Sequence, residues 1–124
     1  MTENAKRVDK PWGHEIWWAR TDRYVGKLLH IKAGESLSLQ YHNVKDETIM
    51  VQSGTLLFET GSKDDPTNLQ KTEMKPGDAF HITAHTVHRM TGVTDVDIVE
   101  VSTPELDDVV RLEDRYGRAG TSKP

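Results

Sequence analysis

Turn-forming residues cut this sequence into short strand-like segments at regular spacing, and that punctuation selects an all-β fold. Residues 24–32 form an apolar-rich run stopped by Ala33-Gly34. Ser36-Leu37-Ser38-Leu39-Gln40-Tyr41-His42 alternates strictly, with Ser36, Ser38, Gln40 and His42 on one face. Residues 48–52 and 55–60 flank Ser53-Gly54, a hairpin signal. Residues 61–66 read as a surface loop, 69–74 as a strand, and Lys75-Pro76-Gly77-Asp78 as a turn into 79–83. Residues 86–90 and 97–102 add two strands. So many short strands imply a sandwich or a barrel. Only the tail differs: residues 104–108 read as the start of a helical turn, and 108–118 as a charged segment.

At 124 residues the chain is one domain with room for one core. Residues 1–9 and 119–124 are polar and expected to be flexible, which leaves 10–118 as the folded unit. The formal charge of -4 offers no basic footprint, so neither nucleic acid nor an anionic membrane is an expected partner. Cysteine is absent, which excludes disulfides, thiolate metal sites and thiol catalysis. Residues 1–7 lack an apolar signal core, and no apolar run is long enough to span a bilayer, so the cytoplasm is the expected location.

Gln40 and His42 are two apart on one strand and therefore project to the same side. Glu47 follows a four-residue turn, where an antiparallel return sets its carboxylate across from His42. His88 lies far along the chain, after another turn. Two imidazoles, a carboxylate and an amide oxygen suit zinc, manganese, iron, cobalt or nickel, and exclude the sulfur-loving copper(I). A calcium cage would need more oxygens. The competing reading makes Ser36, Ser38, Gln40 and His42 the solvated side of an antiparallel strand, and His14, His30, His81 and His85 surface or packing residues. Spacing alone leaves both readings open. In the run Trp17-Trp18, alternation predicts one ring buried and the other at an edge or interface.

These residues resemble the two cupin signatures. Gly34, Gln40, His42, Glu47 and Gly54 match the first at every spacing, with Gln40 in the place of its first histidine. Gly77 and His88 match the second, but Thr83 and His85 stand where that signature has Pro and Gly. Gln in the first histidine place, Lys10-Pro11-Trp12-Gly13, Gly34-Glu35-Ser36-Leu37-Ser38-Leu39-Gln40, Ala84-His85-Thr86-Val87-His88-Arg89 and residues 108–118 are similar to type II phosphomannose isomerase domains. The resemblance runs from about Lys10 to Arg118. It departs at Asn43, Val44, Thr48 and Ile49, where those isomerases carry His residues and a His-Trp pair.

The resemblance implies a cupin jelly-roll barrel with one divalent metal, zinc favoured, held by Gln40, His42, Glu47 and His88. It implies a mannose-6-phosphate isomerase-like enzyme that interconverts an aldose and a ketose phosphate, moving a proton between C1 and C2. The candidate catalytic residues are His81, as base, and Arg111. Glu35, Tyr41 and His85 are weaker candidates for the base. Lys27, Arg89 and Arg118 are the candidate substrate-binding residues, Arg presenting a planar fork to phosphate. Arg111 and Arg118 have a competing role, pinning the tail by pairing with Asp107, Asp108, Glu113 or Asp114. A homodimer is the expected assembly. Two rival functions stand beside the isomerase: a cupin that binds a sugar or other small polar ligand without turnover, and a metal-dependent oxygenase.

Overall fold

Strand formation follows the alternation of the sequence, and the computed structural model, which describes residue 2 and residues 4–120, contains eleven strands and no helix among those residues. They are β1 (Lys6–Lys10), β2 (Gly13–Arg20), β3 (Val25–Ile31), β4 (Leu39–Tyr41), β5 (Glu47–Ser53), β6 (Leu56–Ser62), β7 (Asp65–Met74), β8 (Ala79–Ile82), β9 (Thr86–Gly92), β10 (Val96–Ser102) and β11 (Val110–Glu113). They form a six-stranded sheet, β1-β2-β3-β10-β5-β8, and a five-stranded sheet, β11-β4-β9-β6-β7. All the pairings are antiparallel. The expected jelly roll is the observed architecture.

The inner faces meet over Leu29, Ile31, Ile49, Val51, Leu56, Phe58, Ile82, Met90, Val96 and Ile98, closed at one side by Trp12. Period-two alternation puts every second residue of β3, β5 and β10 on that inner face. Along it the chemistry changes. Ile31 pairs with Val96 and Leu29 with Ile98, but two steps on Lys27 pairs with Glu100, and Val25 with Ser102. Ser102 in turn pairs with Glu47 on β5. One end of the barrel is thus an apolar plug, and the other is lined by charges that the same alternation forces inward. That polar end is where the site lies.

Several sequence expectations need correction. Residues 6–9 are not frayed: they form most of β1, which pairs with β2 from Lys6↔Trp17 to Lys10↔Gly13. The loop at 61–66 shrinks to a two-residue turn, because β6 and β7 continue to Ser62↔Asp65. Residues 36–38 join the second sheet through the Ser36↔Thr91 bridge and a Leu37 N–H to Met90 carbonyl bond, without a continuous ladder, so the strand proper is Leu39–Tyr41. Residues 104–108 make tight turns (Leu106 N to Pro104 O, Asp108 N to Glu105 O) and no helix. Neither neighbouring tryptophan is buried. A bulge between Trp17 and Ala19 leaves Trp17 half-buried and Trp18 51% exposed, its ring lying over Gly26, while the buried indole is Trp12. Residues 119 and 120 are held by a Gly120 N–H to Arg111 carbonyl bond, and the expectation for 121–124 lies outside the described residues.

Candidate metal centre

His42 directly follows β4, Glu47 opens β5 and His88 sits in β9, so three parts of the chain deliver three donors to one point. Each offers a ligand atom lying within 4.8 Å of the others. All three are at least 98% buried. The polar side of the Ser36–His42 alternation therefore faces inward, with Ser38 and His42 each 2% exposed, and the solvated-strand reading is set aside.

Both imidazoles are held in one tautomer. His42 Nδ1 lies 2.6 Å from the Asp108 carbonyl and His88 Nδ1 lies 2.9 Å from the Thr86 carbonyl. A carbonyl can only accept, so each Nδ1 carries the proton and each Nε2 keeps its lone pair. Those lone pairs face Glu47, with His42 Nε2 at 3.4 Å and His88 Nε2 at 3.7 Å from its carboxylate oxygens. Burial drives the His42 imidazole down to about 4, against the opposing pull of Glu47, and it lowers His88 as well. Both rings are neutral at pH 7. Glu47 is held below the usual carboxylate range: burial would raise it, but the Lys45 ammonium beside it outweighs that.

These donors fit a divalent cation. His42 Nε2 is a buried acceptor with no hydrogen-bond partner, an arrangement seldom left unmet inside a protein. A pair of imidazole lone pairs facing a carboxylate is an N/O donor set of the kind that binds zinc and its neighbours, and each ring has the carbonyl partner that orients metal-binding histidines. Gln40 is alongside. Its Oε1 accepts from Ser38 Oγ at 2.7 Å and its Nε2 stands 3.5 Å from His88 Nε2. A half-turn of the amide exchanges the two atoms and turns the oxygen toward the same point.

Gln40, His42 and Glu47 open onto a narrow cleft of about 60 Å³, lined also by Lys10, Trp12, Glu15, Lys27, Lys45, Glu100, Arg111 and Arg118. Lys27 pairs with Glu15 at 3.2 Å, and Glu15 also accepts from Trp17 Nε1 at 2.7 Å. Arg118 grips Asp114 through two bonds of 2.9 and 3.1 Å, as the tail-pinning role required, yet it still lines the cleft with Arg111.

Two sequence candidates lie elsewhere. His81 pairs with Thr48 on the outward side of β5, is largely exposed, and places Nε2 2.6 Å from Asp46 Oδ1. It does not line the cleft, because β8 alternates with Ile82 inward and His81 outward. Arg89 follows His88 and so faces away from the barrel interior, where it clamps Glu59 at 2.9 and 3.1 Å and reaches Glu113 at 3.2 Å. Sequence reasoning passed over Lys45, Glu100, Glu15 and Lys10. Glu100 had a signal: it shares parity with Ile98 in a strand whose inward face is apolar. Lys45 had none, since it lies in the turn between β4 and β5.

The signature positions behave as their geometry demands. Gly54 has φ +83°, and a Cβ there would stand 2.1 Å from the Asp95 carbonyl oxygen. His85, standing where the second signature has Gly, is in the left-handed region at φ 69°.

Comparison with known proteins gives a consistent picture. The sequence model of the family described as "Mannose-6-phosphate isomerase C-terminal" matches residues 1–114. Mannose-1-phosphate guanylyltransferase ManC of Salmonella typhimurium is 33% identical over an alignment of 118 positions, gaps included, that covers 91% of this chain and 23% of that protein. Alginate biosynthesis protein AlgA of Pseudomonas aeruginosa is 34% identical over an alignment of 128 positions, gaps included, that covers 99% of this chain and 25% of that protein. The chain thus spans about a quarter of the length of these relatives. Among solved structures, KdgF from Halomonas sp. superposes with a TM-score of 0.70 at 20% identity, covering 81% of this chain and 88% of its own. A cupin superfamily protein from Desulfitobacterium hafniense gives 0.62 at 17% identity, covering 83% and 82%. At such identities the likeness is one of fold.

Proposed function

The chain belongs to the mannose-6-phosphate isomerase C-terminal family of cupin domains, and from that membership we propose that it is a metal-dependent aldose–ketose isomerase acting on a sugar phosphate. The observation that carries this reading is the pair of buried, neutral imidazoles whose Nε2 atoms converge with Glu47 beside a cleft rich in cations. His42, Glu47 and His88 would hold the ion, zinc by preference, with Gln40 as the fourth ligand. A bound divalent cation would supply Lewis acidity toward the carbonyl and hydroxyl oxygens of a sugar.

The chain's own residues do the rest. Lys10, Arg111 and Arg118 line the same cleft, and like-charge repulsion from the two arginines helps to lower Lys10, after the larger effect of burial. Three neighbouring cations suit a dianionic phosphate, with Arg giving a bidentate grip and Lys a point charge. Trp12 and Leu29 close the apolar side and exclude water from the floor. Among the described residues no helix is long and apolar enough to cross a membrane.

One observation favours a second reading, a sugar-binding cupin without turnover. His81, the base expected from sequence, points out of the barrel. The two readings separate when the purified protein, loaded with zinc or manganese, is incubated with a panel of aldose and ketose phosphates. Interconversion that vanishes in Gln40→Ala and His88→Ala supports the isomerase. Binding of the sugar phosphates with no interconversion under any metal sinks it and leaves the binding module.

The homodimer belongs to the same reading. Its support is an apolar row across the outer face of the six-stranded sheet, Ile16↔Leu28↔Val99↔Met50↔Ala79 by strand register. Leu28, Met50, Val101 and Trp18 on this side are exposed.

A further inference from the structure

The polar end of the barrel already contains a cation of its own. Lys45 lies in the turn between β4 and β5, yet only 8% of its side chain is exposed, and its Nζ stands 2.9 Å from Glu47 Oε2. The same Nζ is 3.6 Å from Glu100 Oε2, beyond hydrogen-bond length. Glu100 is buried on β10, and its Oε2, like Glu47 Oε2, has no hydrogen bond of good geometry, so the distances alone separate the two carboxylates. One ammonium therefore stands between two buried carboxylates, in close contact with the one that serves as a metal ligand and short of the one that does not.

We propose that Lys45 is the resident counter-cation of Glu47 in the metal-free site, and that it transfers to Glu100 when a divalent ion takes Glu47. The inference rests on the metal reading given above. Its physical basis is competition for one carboxylate. A buried Glu47 without a cation is costly, and Lys45 meets that cost before an ion arrives. An ammonium and a divalent ion on the same carboxylate repel strongly where the dielectric is low. Lysine can yield because its charge sits on a flexible four-carbon stem with three rotatable donors. Glu100 Oε2 is the vacant acceptor within reach, and the inward parity of β10 places it there. Lys45 and Glu100 are then positioning residues that set how tightly, and how reversibly, the site holds its ion.

Opposite signs for two substitutions make the test decisive. With the full chain and Mn²⁺ or Zn²⁺ alone as probe, calorimetric titration measures affinity and thermal melting measures the metal-free protein. Lys45→Met removes the competitor: it tightens metal binding about tenfold, the scale expected for one buried charge contact, and lowers the melting temperature of the metal-free form. Glu100→Gln removes the second berth: it weakens metal binding by about the same factor. A lysine with a purely structural role gives weaker or unchanged binding in Lys45→Met, and that result overturns the proposal. So does Glu100→Gln with unaltered or tighter binding, which also decides the matter should Lys45→Met not fold. If the wild-type protein binds neither ion, the metal reading itself fails; if it binds and the two variants shift together, only the present inference does.

Discussion

The Nδ1 atom of His42 lies 2.6 Å from the backbone carbonyl oxygen of Asp108, a residue 66 positions away, so the loop before β11 decides which imidazole nitrogen faces Glu47. The side chain of the same aspartate holds the other end of that loop contact. It accepts from the backbone N–H groups of Asn43, Val44 and Lys45 at 3.0, 2.6 and 2.8 Å. Burial would raise the Asp108 carboxyl, and those three bonds more than reverse it. Asp108→Ala therefore releases the 43–45 turn and the orientation of His42 together. The expected outcome is a metal affinity lower by roughly 10- to 100-fold, the usual effect of losing an orienting partner, with a stability loss of about 2 kcal/mol for the charge-assisted bonds. Asp108→Asn keeps one acceptor oxygen and falls between. Calorimetry and urea denaturation measure the two effects separately.

Removing the ligands themselves has a graded result. His88→Ala deletes a donor fixed at both ring nitrogens and abolishes stoichiometric zinc in the purified protein, read by elemental analysis. Gln40→Ala leaves the His–Glu–His set intact and only weakens it. A chelator then lowers the melting temperature of the wild type and leaves His88→Ala unmoved, because an ion that binds the folded state alone stabilises by RT ln(1 + [L]/Kd). Equal chelator sensitivity in both proteins contradicts the assignment of His88.

How much of this was written in the sequence depends on which residues one follows. The strict alternation around Ser38, Gln40 and His42 and the spacing to Glu47 made both the barrel and its donor set legible, because a period of two fixes sidedness before any contact is known. His88 was legible only through its signature. His81 misled because strand parity cannot be assigned until register is known, and the pairing Thr48↔His81 puts it outside. Lys45 was hidden for a different reason: its burial comes from two carboxylates on separate strands, a relation that no local pattern encodes. The turn at 104–108 looked helical because Pro and acidic residues open helices, but tertiary demands on the Asp108 carbonyl and carboxylate hold it in tight turns.

On the outer face of the second sheet, Arg89 and Glu59 carry a pH dependence whose sign is fixed. Hydrogen bonding from the Arg89 guanidinium holds the Glu59 carboxyl below its ordinary value, outweighing burial. A carboxylate depressed in the folded state stabilises above its unfolded value of 4.5, and that contribution is lost as pH falls through the lower folded value. Stability should therefore fall between about pH 5 and the acid range, and the fall should be shallower in Glu59→Gln. Urea midpoints at pH 7 and pH 3 measure it. An identical drop in both proteins assigns the acid sensitivity to other groups.

The row Ile16, Leu28, Val99 and Met50 sets the last expectation. A sheet face that carries aliphatic side chains in direct cross-strand register has no local reason to be apolar, since antiparallel sheets with one wet side alternate apolar and polar residues. Here the inner face keeps the core, and the outer face carries apolar side chains as well, with Met50 41% and Val101 50% exposed. On the dimer proposal a second copy of the chain would cover such a surface by two-fold symmetry, each row lying against its counterpart. Light scattering should then give twice the chain mass of 14.0 kDa. Met50→Lys combined with Val101→Lys should return a monomer, because each interface would bring together four desolvated ammonium groups, while metal content stays that of the wild type. A wild-type protein that runs as a monomer at micromolar concentration, or a double variant that remains paired, rules this face out as the interface.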